Sequence, residues 1–270
     1  MRRTPAAAKI NLALVVGPLR ENRNHEVATV LQRIDLTDRV AVSASDRLEV
    51  TGFAEDTLVR RALEGLAAAA GVEPRFAARI EKRIPVAAGL GGGSSDAATA
   101  LRLANELLPQ PLAAGELRPL AAALGADCPF FLASGPQLGT GDGSELAPLE
   151  LPQDYFVLLV LPEGARKAST AEIYRRFDER GGERGFEERR AGLGQALASV
   201  SHAADLATLP PNDLASSPLA AELLGLGAFR ADVSGAGPAV FGLFLHHRQA
   251  KAARRALRGR GRVWLTVPAW

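Results

Sequence analysis

Pro85-Val86-Ala87-Ala88-Gly89-Leu90-Gly91-Gly92-Gly93-Ser94-Ser95-Asp96-Ala97-Ala98 is the stretch on which the reading of this chain turns. Four of the five residues from 89 to 93 are glycine, so the backbone reaches positive φ freely and lets another object come close. A helix-forming run follows and is stopped by Pro109 and Pro111, which predicts a helix over Ser94 to Leu108. A glycine loop opening a helix presents unpaired N–H groups and the positive end of the helix dipole, which together hold phosphate oxygens. The segment expected to do this comprises Pro85, Ala88, Gly89, Leu90, Gly91, Gly92, Gly93, Ser94 and Ser95. Ser94 or Ser95 adds a hydroxyl donor, or an oxygen for a phosphate-bound Mg²⁺; the other metal ligands are unspecified. No Gly-Lys-Ser/Thr ends the loop, so it is not a Walker A motif, and it lacks the Gly-x-Gly-x-x-Gly spacing of a dinucleotide fold. The plainer reading is a turn with Ser94 or Ser95 as N-cap; the glycine density and the immediate helix favour phosphate. Asp96, in the first helical turn, is read as a structural carboxylate favoured by the dipole.

Working outward, Arg75 to Ile84 alternates polar and apolar residues and predicts a half-buried strand running into the loop. Upstream, Ala6–Val16, Val27–Ile34, Val40–Ser45 and Arg47–Phe53 read as strands. Asp56 and Thr57 offer caps for an Ala- and Leu-rich helix ending at Gly71. Downstream, Leu112 to Leu124 predicts a second helix, and the Gly- and Pro-rich stretch Ser134–Pro152 reads as a domain junction. A strand over Tyr155–Leu161 and helices near 170–180, 186–200 and 218–226 follow, with the charged segment Gly181–Arg190 read as a mobile loop. The chain closes on strand, glycine-rich turn, strand, helix and strand, which predicts an antiparallel sheet with helices on one face. Two domains are expected, residues 1–150 and 151–270.

The whole composition fits a globular protein: 270 residues, 47% hydrophobic and 23% charged. Net charge is +2 and aromatics make up 5%, so neither a basic face nor stacking platforms for nucleic acid are evident. The basic run from Lys251 to Arg262 reads as the solvated face of a helix. A single cysteine, Cys128, cannot form an internal disulfide and points to a reducing compartment. No apolar run approaches the roughly eighteen residues of a membrane span, and the basic start reads as no signal peptide. A cytoplasmic protein without nucleic-acid or membrane partners is expected.

The quoted loop resembles the ATP motif of the galacto-, homoserine, mevalonate and phosphomevalonate (GHMP) kinases. Its triple glycine and Ser-Ser-Asp-Ala-Ala ending resemble the branch acting on 4-diphosphocytidyl-2-C-methyl-D-erythritol. Ala8-Lys9-Ile10-Asn11-Leu12, Gly125-Ala126-Asp127-Cys128-Pro129-Phe130-Phe131 and Ser234-Gly235-Ala236-Gly237-Pro238-Ala239-Val240-Phe241-Gly242 agree in order and spacing. Ser169-Thr170 with Tyr174, and Asn212-Asp213-Leu214, fill the gap between them. The resemblance implies a two-lobed α+β fold, with a ribosomal-S5-like N-terminal lobe carrying ATP binding and catalysis and a ferredoxin-like C-terminal lobe on the substrate side. It implies ATP and Mg²⁺ as cofactors, a small cytidyl-sugar-alcohol substrate phosphorylated on its 2-hydroxyl in the non-mevalonate isoprenoid pathway, and a monomer or homodimer. Two alternatives remain: another GHMP kinase acting on a mevalonate- or homoserine-type alcohol, or a catalytically silent ATP-binding module.

The resemblance makes Lys9 and Asp127 the catalytic pair. Asp127 would accept the hydroxyl proton or orient the hydroxyl, and Lys9 would stabilise developing charge. The chain has 28 Arg but only 4 Lys, so a retained lysine marks a need for a compact point charge. On the plainer reading Lys9 is a solvated strand end and Asp127 a helix cap before Pro129. Asn11, His25, Thr170 and Tyr174 are the implied substrate contacts, with His25 reading a cytosine edge and Tyr174 stacking. Ser234, Gly235 and Gly237 form a supporting loop, or simply a hairpin turn. One departure stands out: the family's tyrosine before this histidine is Asn24 here, beside Arg23, whose guanidinium offers a flat face.

Overall fold

The structure, a computed structural model, describes residues 3–21, 23–165 and 169–270. Two long strands open the chain, β1 (Thr4–Leu19) and β2 (His25–Ala44), followed by β3 (Glu49–Thr51), α1 (Leu58–Ala69) and β4 (Phe76–Glu81). After the glycine loop come α2 (Gly92–Asn105) and α3 (Ala114–Leu124), then β5 (Gln137–Thr140), β6 (Glu145–Pro148) and β7 (Phe156–Pro162). The last part holds α4 (Thr170–Glu179), α5 (Phe186–Ser199), α6 (Pro218–Gly225), β8 (Arg230–Val233), β9 (Val240–Phe244), α7 (His247–Ala256), β10 (Gly261–Thr266) and β11 (Pro268–Ala269). Among the described residues no helix is long and apolar enough to cross a membrane.

The chain divides into two compact units, and not at a single cut. One gathers 1–8, 36–86 and 91–134; the other gathers 9–35, 87–90 and 135–270. In the first, β4 pairs antiparallel with residues 39–44 of β2 and parallel with β3. The expected alternation holds, for Phe76, Ala78 and Ile80 point inward. Against them lies α1, whose buried Val59, Ala62, Leu63, Leu66 and Ala67 recur at helical spacing. Burying each of the larger of these side chains contributes about 1.5–3 kcal/mol. The same core takes Ala97, Ala100, Leu101 and Ala104 of α2 and Leu117 and Ala121 of α3. Asp56, not Thr57, caps α1, its carboxylate accepting from the N–H groups of Val59 and Arg60.

In the second unit the closing segments form the expected antiparallel sheet, in the order β10-β7-β9-β8. Leu158, Val160, Val233, Val240 and Phe244 share its apolar core with Leu223 of α6, with Ala250 and Ala253 of α7 and with Leu257 just after it. Residues 29–31 of β2 pair with β5, and Ile34 and Arg33 pair with β11.

Two expectations are corrected and a third is filled in. The separate strands Val27–Ile34 and Val40–Ser45 are one strand, β2, because Asp35 to Asp38 continue extended instead of turning. The stretch Ser134–Pro152 begins where the two units divide, after residue 134, and then folds into the hairpin β5–β6, in register from Gln137↔Pro148 to Thr140↔Glu145. Gly181–Arg190 is not a free loop. Phe186 begins α5, and the Arg189 guanidinium bonds the carbonyls of Val16 and Gly182 and the carboxylate of Asp213.

Candidate active site

The glycine loop enters through Ala87 at φ +57°, Gly89 at +83° and Gly91 at +67°. Helix α2 starts two residues earlier than expected, at Gly92, and Gly91 is its N-cap, with no side chain capping it. Ser94 and Ser95 therefore lie inside the first turn, and the plainer reading of either as N-cap is set aside. The first intrahelical bond from this turn runs from Ser95 N–H to Gly91 O (2.9 Å). The N–H groups of Gly92, Gly93 and Ser94 precede it, the arrangement that receives an anion. Ala87 is the one loop residue that is left-handed without being glycine, a conformation costing an L-residue roughly 1–2 kcal/mol. Ala87→Gly is accordingly expected to raise unfolding stability by about 0.5–1 kcal/mol, after the entropy that glycine adds to the unfolded chain; the urea midpoint reads it.

Within the second unit, three of the motifs meet. The ammonium of Lys9, buried on β1, donates to Asn11 Oδ1 at 2.7 Å. Asn11 Nδ2 donates to Thr29 Oγ1, which donates on to Ala13 O, each at 2.8 Å. Lys9 is thus no solvated strand end. Its own N–H bonds Leu90 O (2.9 Å), tying β1 to the glycine loop. Ser234 Oγ donates to Gly89 O (2.9 Å) and Ala239 N–H donates to Ala88 O (3.1 Å). A β-carbon on Gly235 would stand 3.2 Å from Asn11 Oδ1 and 3.4 Å from Lys9 Nζ; one on Gly237 would stand 2.2 Å from Ala88 C and O. The turn between β8 and β9 is a hairpin as well, closed by Ser234 N–H to Ala239 O (2.9 Å).

In the first unit Asp127 is half-buried, two residues before the start of the 3₁₀ turn Pro129–Leu132. Cys128, not Asp127, is the N-cap of that turn, and no side chain caps it. Burial pushes the Cys128 thiol up to about 11, only partly offset by a hydrogen bond from Ser94, so it is no thiolate nucleophile. Asp96 is buried and does more than meet a dipole. Its Oδ2 accepts from Lys82 Nζ (2.7 Å), which also pairs with the fully buried Asp38; Asp96 Oδ1 has no partner among the described residues. Asp38 further receives the N–H of Ile84 (2.8 Å), fixing the strand end that feeds Pro85. Sequence reasoning missed Lys82 and Asp38, yet the scarcity of lysine that singled out Lys9 applied equally to Lys82.

Burial pushes Asp96 up to about 7, against the attraction of Lys82 and with the charge of Asp38 adding to the rise. A carboxyl raised in the folded state favours folding while protonated, so its contribution is lost as pH climbs from the ordinary carboxylate range through about 7. Asp96→Asn should therefore gain about 1–2 kcal/mol on the unchanged protein between about pH 5.5 and about pH 8 in urea unfolding. No pH-dependent difference would place the shared proton elsewhere.

His25 is buried, with Nδ1 donating to Gly17 O at 2.8 Å and Nε2 at 3.4 Å from an Asp178 carboxylate oxygen. Tyr174 stacks on its imidazole with ring centres 4.7 Å apart, and Phe177 meets it edge-on at 5.8 Å. Thr170 is exposed as the first residue of α4, behind the N-cap Ser169. Asn24 Nδ2 donates to Asp142 Oδ2 (3.2 Å).

Two family models match: GHMP kinases N terminal domain over residues 57–135 and GHMP kinases C terminal over 185–263. A protein of Anaeromyxobacter sp. (strain Fw109-5) named 4-diphosphocytidyl-2-C-methyl-D-erythritol kinase is 41% identical over 267 residues, covering 94% of this chain and 85% of that protein. The chain belongs to this kinase family. A relative of the same name from Chlorobium phaeobacteroides (strain BS1) is 36% identical over 281 residues, covering 97% of this chain and 96% of its own. A crystal structure of 4-(cytidine 5'-diphospho)-2C-methyl-D-erythritol kinase superposes with a TM-score of 0.80 at 32% identity over the full length of both chains. A crystal structure of a mevalonate kinase follows at 0.79 but 16% identity, over 99% of each chain, a likeness of fold alone. This kinase thus has the α+β GHMP kinase fold and is an enzyme acting on a small molecule.

Proposed function

We propose that this chain transfers the γ-phosphoryl group of ATP to the 2-hydroxyl of 4-diphosphocytidyl-2-C-methyl-D-erythritol. The observation that carries the reading is the meeting of three distant segments, Lys9 with Asn11, the loop at Gly89, and the turn at Ser234–Gly237, around one buried ammonium. Phosphoryl transfer needs positioning and charge neutralisation more than covalent help from the protein. The uncapped start of α2 takes the phosphates, with Gly91 to Ser94 supplying N–H groups and Ser94 or Ser95 a hydroxyl donor. Mg²⁺ would come with the nucleotide and neutralise phosphate charge, and Ser94 or Ser95 would supply a hydroxyl to hold it.

Asp127 takes the proton of the 2-hydroxyl as its oxygen bonds to the γ-phosphorus, while the bond from that phosphorus to the bridging oxygen breaks and ADP leaves. Lys9 carries positive charge toward the transferring group, and Asn11 fixes its ammonium. His25, whose ring is oriented by the Gly17 carbonyl, and Tyr174 are assigned to the cytidyl moiety, and Thr170 is assigned to the same substrate. We place nucleotide binding and catalysis in residues 1–150, and the substrate side in residues 151–270 joined by His25 and Asn11 from the first part.

ADP release with Mg-ATP tests the proposal, run with the cytidyl substrate, mevalonate, homoserine and the methylerythritol phosphate that lacks the cytidyl group. Turnover confined to the cytidyl substrate is expected. Turnover on mevalonate or homoserine instead would move the chain to another acceptor, and ATP binding without turnover on any alcohol would end the kinase assignment.

A further inference from the structure

Deeper in the second unit, a buried polar network leads from the closing sheet to Lys9 and has no part in the scheme above. Its centre is Asn212. The side-chain amide donates to two main-chain carbonyls at once, Val233 O at 3.0 Å and Gly235 O at 2.8 Å. Its oxygen accepts from Leu214 N–H at 2.8 Å. Its own N–H goes to Asp232 Oδ2 (2.8 Å), and Asp232 Oδ1 takes the N–H of Val233 (2.7 Å). Arg230, buried beside them, holds the preceding segment through Leu209 O (2.6 Å) and Pro210 O (2.8 Å).

The same residue also touches the strand that carries the lysine. Asn212 bridges in parallel to Leu14, and Asp213 N–H donates to Leu14 O (2.9 Å), five residues along β1 from Lys9. Asp213 Oδ2 then accepts the N–H of Val16 (2.8 Å). One short segment therefore clamps both the β8–β9 turn and β1.

We propose that Asn212 is a positioning residue for Lys9. The carbonyl it holds belongs to Gly235, the residue at which an added β-carbon would stand 3.2 Å from Asn11 Oδ1 and 3.4 Å from Lys9 Nζ. Only an amide fits the task. A carboxylate of the same shape would set oxygen against two carbonyl oxygens, and an apolar side chain would leave both carbonyls buried and unpaired. Release of Gly235 lets the turn drift relative to the ammonium it lies beside, and displacements of about 1 Å at a reacting centre cost around a hundredfold in rate. The inference rests on the proposed role of Lys9.

The test compares Asn212→Asp and Lys9→Ala, singly and together, on Mg-ATP and the cytidyl substrate, with the melting temperature of each variant. Asn212→Asp should lower kcat by about ten- to a hundredfold while the ATP KM moves by less than about threefold. In the Lys9→Ala background the same substitution should change the residual kcat by less than about twofold, because the group it positions is gone. A full additive loss in that background, or a wild-type kcat in folded Asn212→Asp, overturns the inference. If Lys9→Ala alone keeps wild-type kcat, the role of Lys9 fails, which is read separately. Should Asn212→Asp not fold, Asp232→Asn, which loosens the same clamp at one remove, must show the kcat-selective loss in smaller degree; its absence is equally decisive.

Discussion

Asp127→Asn is expected to lower kcat by about 10²–10⁴-fold, the usual worth of a positioned general base. The amide is nearly isosteric, and Asp127 is half-buried in the short turn before Pro129, where Cys128 holds the capping position. Fold and nucleotide affinity should therefore persist, with the ATP KM within about threefold and the melting temperature close to that of the unchanged protein. The measurement is steady-state ADP release beside thermal unfolding. A loss of only about tenfold would leave Asp127 as an orienting group, and near-wild-type turnover would remove it from the chemistry.

The second large effect belongs to Gly237. A methyl there would lie 2.2 Å from the carbonyl carbon and oxygen of Ala88 and from Gly89 N, all backbone atoms with no rotamer to yield. Gly237→Ala must part the β8–β9 turn from the glycine loop, straining the bonds from Ser234 Oγ to Gly89 O and from Ala239 N–H to Ala88 O. We expect about 1–3 kcal/mol of lost stability and about a hundredfold lower kcat/KM for ATP. The control is Gly192→Ala within α5, where a β-carbon meets nothing within 4 Å; it should gain about 0.5–1 kcal/mol and keep full activity. Wild-type behaviour of Gly237→Ala in both respects would mean that the two loops part freely and that their contact serves neither nucleotide nor stability.

Much of this was legible in the chain as written. The glycine run before α2, the alternation of β4, the helical spacing of α1 and the closing strand-turn-strand-helix-strand order are local signals. Each depends on residues within about one element of one another, where φ preference and burial period act directly. Lys9 and Asp127 took their roles from the resemblance, with the scarcity of lysine adding to the case for Lys9, since a lysine in an apolar strand and an aspartate before a proline both have plain uses. The misread strand break near Asp35 has a similar origin. Charged residues there resemble a turn, but Asp38 is buried against Lys82, which makes a polar residue compatible with the middle of a strand.

By itself the sequence determined the glycine-rich backbone before α2, the family and the α+β class, because those follow from glycine placement, motif spacing and apolar periodicity along the chain. Only the tertiary structure decided which side chains answer one another. Asp38, Lys82 and Asp96 share one buried charge cluster, and Asn212 reaches Gly235, which reaches Lys9 more than two hundred residues away in the chain. The reason is physical. A buried amide or carboxylate must find a partner in the interior, yet its own neighbours in sequence carry no record of which distant strand will supply that partner once the sheet has closed.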